Sequence, residues 1–298
     1  MTTALSATGL GKQYGRRWAL ADCTVDVPEG RVVGLVGPNG AGKTTLLNLA
    51  VGMVRPTTGT IEVLGHAPSD NAEQLARVGF VAQDTPAYSG LSIADHLHLG
   101  RWLNPRWDDD LAKRRIDQLG LDPSQRAGKL SGGQRAQLAL TMAIAKRPEL
   151  LVLDEPVASL DPLARREFLQ LLMEAIAEDN LSIILSSHLV GDLERVCDYL
   201  IVLASSRVQV AGDVEELLST HRRLIGPRRD PRSLPTDQQV IEEDHTDVQS
   251  TFVVRCDGPI HDPAWTVEQL NLEDLVLAYM GRARHGEDAN HQRLSVLG

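Results

Sequence analysis

Cysteine, positive charge and long apolar stretches are all in short supply in this 298-residue chain. Its three cysteines, Cys23, Cys197 and Cys256, stand far apart and form no C-x-x-C pair. A disulfide framework and a cysteine-based metal site are therefore not expected. No apolar run approaches the ~20 residues that cross a bilayer as a helix. The longer ones, such as Tyr199-Leu-Ile-Val-Leu-Ala204, are strand-sized. The opening Met1-Thr-Thr-Ala-Leu5 lacks the basic stretch and apolar segment of a secretory leader, so a cytoplasmic chain is expected. A formal net charge of −10 argues against nucleic acid as a partner. The residues from 220 onward carry nine basic and thirteen acidic side chains, so neither part of the chain is a basic module. What is present, 42% apolar and 23% charged residues, is ordinary for a globular protein of one large or two smaller domains.

The first ~220 residues alternate strand-like with helix-like segments, the pattern of an α/β domain with a largely parallel sheet. Short apolar runs at 31–36, 78–82, 150–153, 182–185 and 199–203 are the strand candidates. Residues 1–27 instead alternate apolar and polar positions, as in a half-exposed antiparallel sheet. Helical periodicity marks 92–146, with breaks near Asn104-Pro105 and at 121–131, and reads as an insert between two core strands. Beyond residue 220, Pro227, Pro231 and Pro235 lie among five arginines, and 220–236 reads as a linker. Two short strands at 239–242 and 251–256 and one helix at 266–280 follow, with Asn271 and Asp274 placed to cap the helix's second half. Residues after Arg282 are expected to fray.

The chemistry concentrates in a few short motifs. Gly37-Pro38-Asn39-Gly40-Ala41-Gly42-Lys43-Thr44 is a G-x-x-x-x-G-K-T loop between a strand candidate and a helix opening with Thr45. Its glycines let backbone N–H groups approach a polyphosphate, and the helix N-terminus adds partial positive charge. Lys43 is expected to reach the terminal phosphates, and the Thr44 hydroxyl to meet Mg²⁺. Downstream, Leu150-Leu-Val-Leu-Asp154-Glu155 is an apolar strand ending in two acids. Asp154 is expected to hold Mg²⁺ through water, and Glu155 to orient or deprotonate an attacking water. His96 and His98, two apart, would face different directions on a helix and are not expected to bind metal.

A further element, Leu130-Ser131-Gly132-Gly133-Gln134, resembles the signature of the nucleotide-binding subunits of ATP-binding cassette (ABC) transporters. Other elements of that family appear in order. Tyr14, in Lys12-Gln-Tyr-Gly15, is similar to the aromatic that stacks on adenine. Gln83, closing Val78-Gly-Phe-Val-Ala-Gln83, is similar to the Gln loop. Ser159-Leu160-Asp161 follows the acid pair, and His188, in Leu185-Ser-Ser-His188, is similar to the switch histidine. The resemblance covers residues 1 to about 218. Gln137 stands where many members carry a second base, and residues 84–91 are not strongly typical.

The resemblance implies a P-loop NTPase cassette: a mostly parallel core sheet, an antiparallel β edge subdomain and a helical insert at about 84–148, all within 1–219. A linker at 220–236 and a small α+β extension at 237–298 would complete the chain. It also implies ATP and Mg²⁺ as ligands, with Gln83 sensing the metal and Ser131, Gly132, Gly133 and Gln134 completing the nucleotide cage of a second cassette. Glu155, His188 and Lys43 would carry hydrolysis. The partners would be an identical or different second cassette and a separate transmembrane permease, holding this chain on the cytoplasmic membrane face. The short tail resembles exporters of the antibiotic or multidrug class. The single cassette, unbroken between residues 43 and 130 by any heptad run, sets the chain apart from ribosome-acting and chromosome-maintenance cassettes. Glu155 and His188 set it apart from non-hydrolysing ones.

Overall fold

The computed structural model describes residues 2–68, 71–84, 87–178 and 181–296, without the side chains of 178 and 285–296. Thr85 and Pro86, within the atypical stretch 84–91, lie outside the described residues. The chain opens with a long hairpin, β1 (Thr3–Tyr14) and β2 (Arg17–Pro28), and continues through β3 (Val32–Val36), α1 (Lys43–Ala50), β4 (Thr58–Val63), α2 (Ala72–Arg77) and β5 (Val78–Val81). Next come α3 (Ile93–Leu103), α4 (Asp109–Gln118) and α5 (Gly132–Ala145), then β6 (Leu150–Asp154), α6 (Pro162–Glu178), β7 (Ser182–Ser187) and α7 (Val190–Leu193). The cassette region closes with β8 (Tyr199–Ala204), β9 (Arg207–Asp213) and α8 (Val214–Thr220).

Six strands form the central sheet in the order β5-β6-β7-β3-β8-β9. The first five run parallel and β9 antiparallel. Its strands read as unbroken apolar runs because both faces are covered. Val33, Leu35, Val152 and Ile184 pack on one side with α1 and the antiparallel sheet β2-β1-β4. Val32, Val36, Leu151, Leu153 and Leu185 pack on the other with α5 and α6. At ~25 cal/mol per Å² of buried apolar surface, this two-sided burial is the main drive for the sheet.

The helical insert has its own core of Ile93, Leu97, Ala112, Ile116, Leu130 and Leu138. Its helix starts are each capped. Ser92 and Asp95 form a reciprocal capping box on α3, Asp108 accepts from the Leu111 N–H on α4, and Ser131 with Gln134 form a second box on α5. His96 is buried; its Nδ1 lies 2.7 Å from the Ser92 carbonyl and its Nε2 accepts from the Tyr88 N–H at 3.1 Å. Both ring nitrogens are thereby engaged within the insert.

The C-terminal region departs from the sequence expectation. Residues 220–236 are not a linker along their first half: His221–Pro227 is strand β10, entered directly from α8. It is paired on both sides in an antiparallel sheet β11-β12-β10-β13, where β11 is Gln239–His245, β12 Gln249–Arg255 and β13 Thr266–Gln269. The prolines mislead because they fall at the strand's end and beyond it, leaving 221–226 free to donate to the ladder. Residues 266–269 are likewise a strand rather than a helix, since register with β10 (Leu224↔Val267) overrides local preference. The helix α9 begins only at Leu272, where Asn271 accepts from the Asp274 N–H at 2.7 Å, and it continues to Val296 rather than fraying after Arg282.

One face of this small sheet packs Leu224, Phe252, Val254 and Trp265 together. The other, with Val253 and Ile241, packs on α9. Leu272, Leu275, Val276 and Tyr279 of α9 share one core with Leu193, Val196, Leu200 and Leu217 of the cassette region. Arg223 pairs with Asp274 at 3.0 Å, and buried His221 lies 2.9 Å from the Tyr279 hydroxyl. The tail is therefore packed onto the cassette region, not tethered to it.

Candidate active site

The register of the central sheet assembles the site. Val36, the last residue of β3, pairs with Ser187 of β7, and Asp154, the last of β6, pairs with Ser186. The three strand ends therefore deliver Gly37, Glu155 and His188 to one edge of the sheet, beside the strand where the order reverses. Open α/β sheets form binding crevices at such points.

The loop after β3 is shaped by its glycines. A Cβ on Gly37 would run into the Leu203 carbonyl, and one on Gly42 into the Ala19 carbonyl. Gly42 also has φ +107°, a region costly for any other residue. Within the turn, the Ala41 N–H donates to the Pro38 carbonyl at 3.1 Å. Asn39, Gly40, Gly42, Lys43, Thr44 and Thr45 line a cavity of about 650 Å³ together with Tyr14, Gln83, Glu155 and His188. Gly37, Pro38 and Ala41 are not among its lining residues; they shape the loop behind it.

Lys43 is 4% exposed, and its ammonium donates to the Gly37 carbonyl at 2.8 Å. The same nitrogen stands 3.2 Å from Glu155 Oε1, while His188 Nδ1 stands 3.0 Å from Glu155 Oε2. One carboxylate is thus held between a buried ammonium and an imidazole. Glu155 itself has φ +44°, a strained position for a non-glycine residue, which turns its side chain into the cavity immediately after the strand.

Sequence reading missed the residue that supports this strain. Ser186 is fully buried; its Oγ donates to Asp154 Oδ1 at 2.8 Å and accepts from the Glu155 N–H at 2.8 Å. Arg17, Ala19 and Ala158 also line the cavity without having been singled out. For Arg17 a signal existed, since a two-residue turn after Tyr14 places the two as cross-strand partners. For Ser186 the only hint was its place two residues before His188.

Tyr14 is half exposed at the cavity mouth, with the Lys12 ammonium 5.2 Å from its ring centre. Asp154 is 2% exposed and stands behind the lining, bonded to Ser186. The structure does not bring Ser131, Gly132, Gly133 or Gln134 to this cavity. They lie at the start of α5, where the Ser131 N–H donates to Gln134 Oε1 at 2.9 Å and the Gln134 N–H to Ser131 Oγ at 3.1 Å. Gly133 packs close to Ala164 of α6, and nothing stands within 4 Å of a Cβ placed on Gly132. Asp161 caps α6, accepting from the Leu163 and Ala164 N–H groups at 3.0 Å each. Gln137 is buried and donates to Glu167 at 3.1 Å, so it faces the helical packing.

Comparison with known proteins identifies the family. The family model described as ABC transporter matches residues 20–158. The chain is 33% identical over 218 residues to YxlF of Bacillus subtilis (strain 168), an uncharacterized ABC transporter ATP-binding protein, covering 72% of each. It is 34% identical over 226 residues to the molybdenum import ATP-binding protein ModC of Mesorhizobium japonicum, covering 72% of this chain but only 60% of ModC. With the bacitracin transport ATP-binding protein BcrA of Bacillus licheniformis, identity is 27% over 263 residues, or 87% of this chain and 85% of BcrA. A solved structure of the ATP-binding subunit of an ABC transporter superposes with a TM-score of 0.66 at 27% identity, covering 73% of this chain and 92% of that one. This chain belongs to the ABC transporter family, as an ATP-binding cassette protein and an ATPase of that class. Among the described residues, no helix is long and apolar enough to cross a membrane.

Proposed function

We propose that this chain hydrolyses ATP at the cavity around Lys43 and Glu155 to drive export of an antibiotic, drug or lipid-like molecule through a separate permease. The observation that carries the catalytic reading is the Lys43–Glu155–His188 cluster at the loop's edge of the sheet. A triphosphate on the loop would compete with Glu155 for the Lys43 ammonium. Lys43 would then turn to the terminal phosphates, leaving the carboxylate to orient the attacking water and accept its proton. His188, on the other carboxylate oxygen, would hold that water and the terminal phosphate. Tyr14 would stack on the base without selecting it strongly.

The Thr44 hydroxyl, the Gln83 amide oxygen and the Asp154 carboxylate would hold Mg²⁺, whose preference is for oxygen donors. Asp154, standing behind the cavity lining, would act through water. When bound, Mg²⁺ would offset charge on the phosphates.

The signature residues Ser131–Gln134 support a two-chain site. They occupy a separate surface of the same protein, at a helix start suited to phosphate. Two cassettes facing head to tail would each supply the half the other lacks. The second cassette is either a copy of this chain or a related one, and the permease would hold the pair on the cytoplasmic membrane face.

An antibiotic cargo is supported by the reach of the match to BcrA, whose name gives bacitracin transport. The match extends over more of the chain than residues 1–219 occupy, whereas the ModC match covers 72%. Inside-out vesicles carrying this chain with its permease test the direction. ATP-dependent accumulation of a peptide antibiotic or fluorescent lipid is expected there, and accumulation only in right-side-out vesicles would refute export.

A further inference from the structure

The cavity is lined by one further cation, Arg17. Arg17 opens β2 and is the register partner of Tyr14, the last residue of β1. The two-residue turn between them holds both side chains at the cavity mouth. Arg17 Nη2 lies 3.6 Å from where a Cβ on Gly40 would stand. Gly40 has no side chain and a φ of +80°, so the guanidinium rests above bare backbone of the phosphate loop.

Its electrostatic position is unusual. Lys43, Glu155 and His188, which share the cavity, are already tied to one another. Arg17 has no ion pair or hydrogen bond from its side chain among the described residues, and it is exposed. A permanently charged planar fork, unpaired beside a glycine-rich loop, suits phosphate oxygens. Lys43 approaches from the buried floor of the loop and Arg17 from its exposed rim. Gly40 belongs to the phosphate loop, and the base has its own platform in Tyr14.

We propose that Arg17 is a nucleotide-binding residue that contacts the polyphosphate and selects for its length. This rests on reading the cavity as a nucleoside triphosphate site. The contribution should grow with phosphate charge and fall with added salt, since the guanidinium is exposed. It should be indifferent to the base, and lysine should recover part of it by charge alone.

Isothermal titration of the full chain with Mg²⁺ and a non-hydrolysable ATP analogue, ADP or AMP tests this, using wild type, Arg17→Ala and Arg17→Lys. Arg17→Ala is expected to weaken the triphosphate analogue by ~10-fold, ADP by less and AMP not detectably, with Arg17→Lys in between. The non-hydrolysable GTP analogue should lose as much as the ATP analogue. The Arg17 side chain is exposed and has no ion pair or hydrogen bond among the described residues, so unchanged melting temperatures are expected for both variants. An equal loss for all three adenine nucleotides would overturn the proposal by assigning Arg17 to the placement of Tyr14. Unchanged affinities would overturn it as well, and if nucleotide-induced dimerisation is then lost, Arg17 belongs to the contact between cassettes. A wild-type chain that binds no triphosphate would overturn the cavity reading itself, a result distinct from any of these.

Discussion

The Ser186 hydroxyl donates to Asp154 Oδ1 and accepts from the Glu155 N–H, both at 2.8 Å, so one buried side chain ties together the two acids at the end of β6. Glu155 sits at φ +44°, and this bond is what the neighbouring strand offers to hold it there. Ser186→Ala leaves a buried carboxylate oxygen and a backbone N–H each short of a partner. A loss of ~1–3 kcal/mol in urea denaturation is expected, from the desolvation of groups left unsatisfied. Turnover should fall by roughly tenfold with little change in KM, since Glu155 is misplaced while the loop still binds nucleotide. Wild-type turnover in Ser186→Ala would show that the bond is not needed to aim Glu155.

Glu155→Gln removes the negative charge between Lys43 and His188 while keeping its shape. Turnover with a competent partner should fall by ~10²-fold or more, with ATP binding retained. Binding should even tighten, because Lys43 no longer has a carboxylate to leave. Near-normal steady-state hydrolysis in this variant would remove Glu155 from the role assigned to it.

Trans completion of the site is open to a direct test in the Glu155→Gln background, which should trap the closed pair. Mg-ATP is expected to shift the full chain to a dimer in size-exclusion chromatography with light scattering. Adding Ser131→Arg should abolish that shift, because a bulky cation then blocks the sandwich, while ATP still binds to Lys43 and Tyr14 of the same chain. Dimerisation by the double variant as in its parent would refute the role given to Ser131.

The tail should matter for stability and not for nucleotide affinity. Leu275 is fully buried between the C-terminal sheet and the cassette core. Leu275→Ala should cost ~2–5 kcal/mol by urea denaturation, as expected for a large-to-small change in a packed core. Its affinity for ATP should match wild type. A chain ended at Ser219 would uncover Leu193, Val196, Leu200 and Leu217, and should melt well below the full chain. A truncated chain as stable as the whole would show that α9 contributes nothing to the cassette.

Stability should also depend on pH through His221. Burial is the first cause that depresses its pKa below the ordinary 6.5, with Arg255 and Arg222 adding to the effect and the bond to the Leu217 carbonyl opposing it. The neutral ring is also the form that can donate to Leu217 O at 2.7 Å and accept from the Tyr279 hydroxyl at 2.9 Å. In the unfolded chain His221 takes up a proton near pH 6.5, and in the folded chain only at lower pH. Its contribution is therefore complete above about pH 6.5 and is lost as pH falls from there toward the folded value. Urea denaturation of wild type and His221→Gln between pH 8 and pH 5.5 measures this. The stability difference between the two should narrow toward acid pH, and a constant difference would exclude titration of His221 as its source.

The lining of the candidate site was largely readable from the chain because the demands on it are local. The loop 37–44 needs three closely spaced glycines, a lysine and a threonine, and β6 needs an apolar run that ends in acids. Such demands are met over a few adjacent residues, and the two-sided burial of the central sheet writes its strands as continuous apolar runs. Ser186 and Arg17 answer instead to neighbours that are distant in sequence. Ser186 matters through strand register 32 residues from Asp154, and Arg17 through a hairpin tip folded over Gly40. The same reason accounts for the tail. The four residues of β13 pair with β10 across more than forty positions, and α9 finds its apolar partners in β8 and α7. Pro227, Pro231 and Pro235 mark local stiffness and a missing donor, which says where a strand must stop. Whether 221–227 joins a sheet, and what that sheet packs against, depends on backbone and apolar partners that only the folded chain brings together.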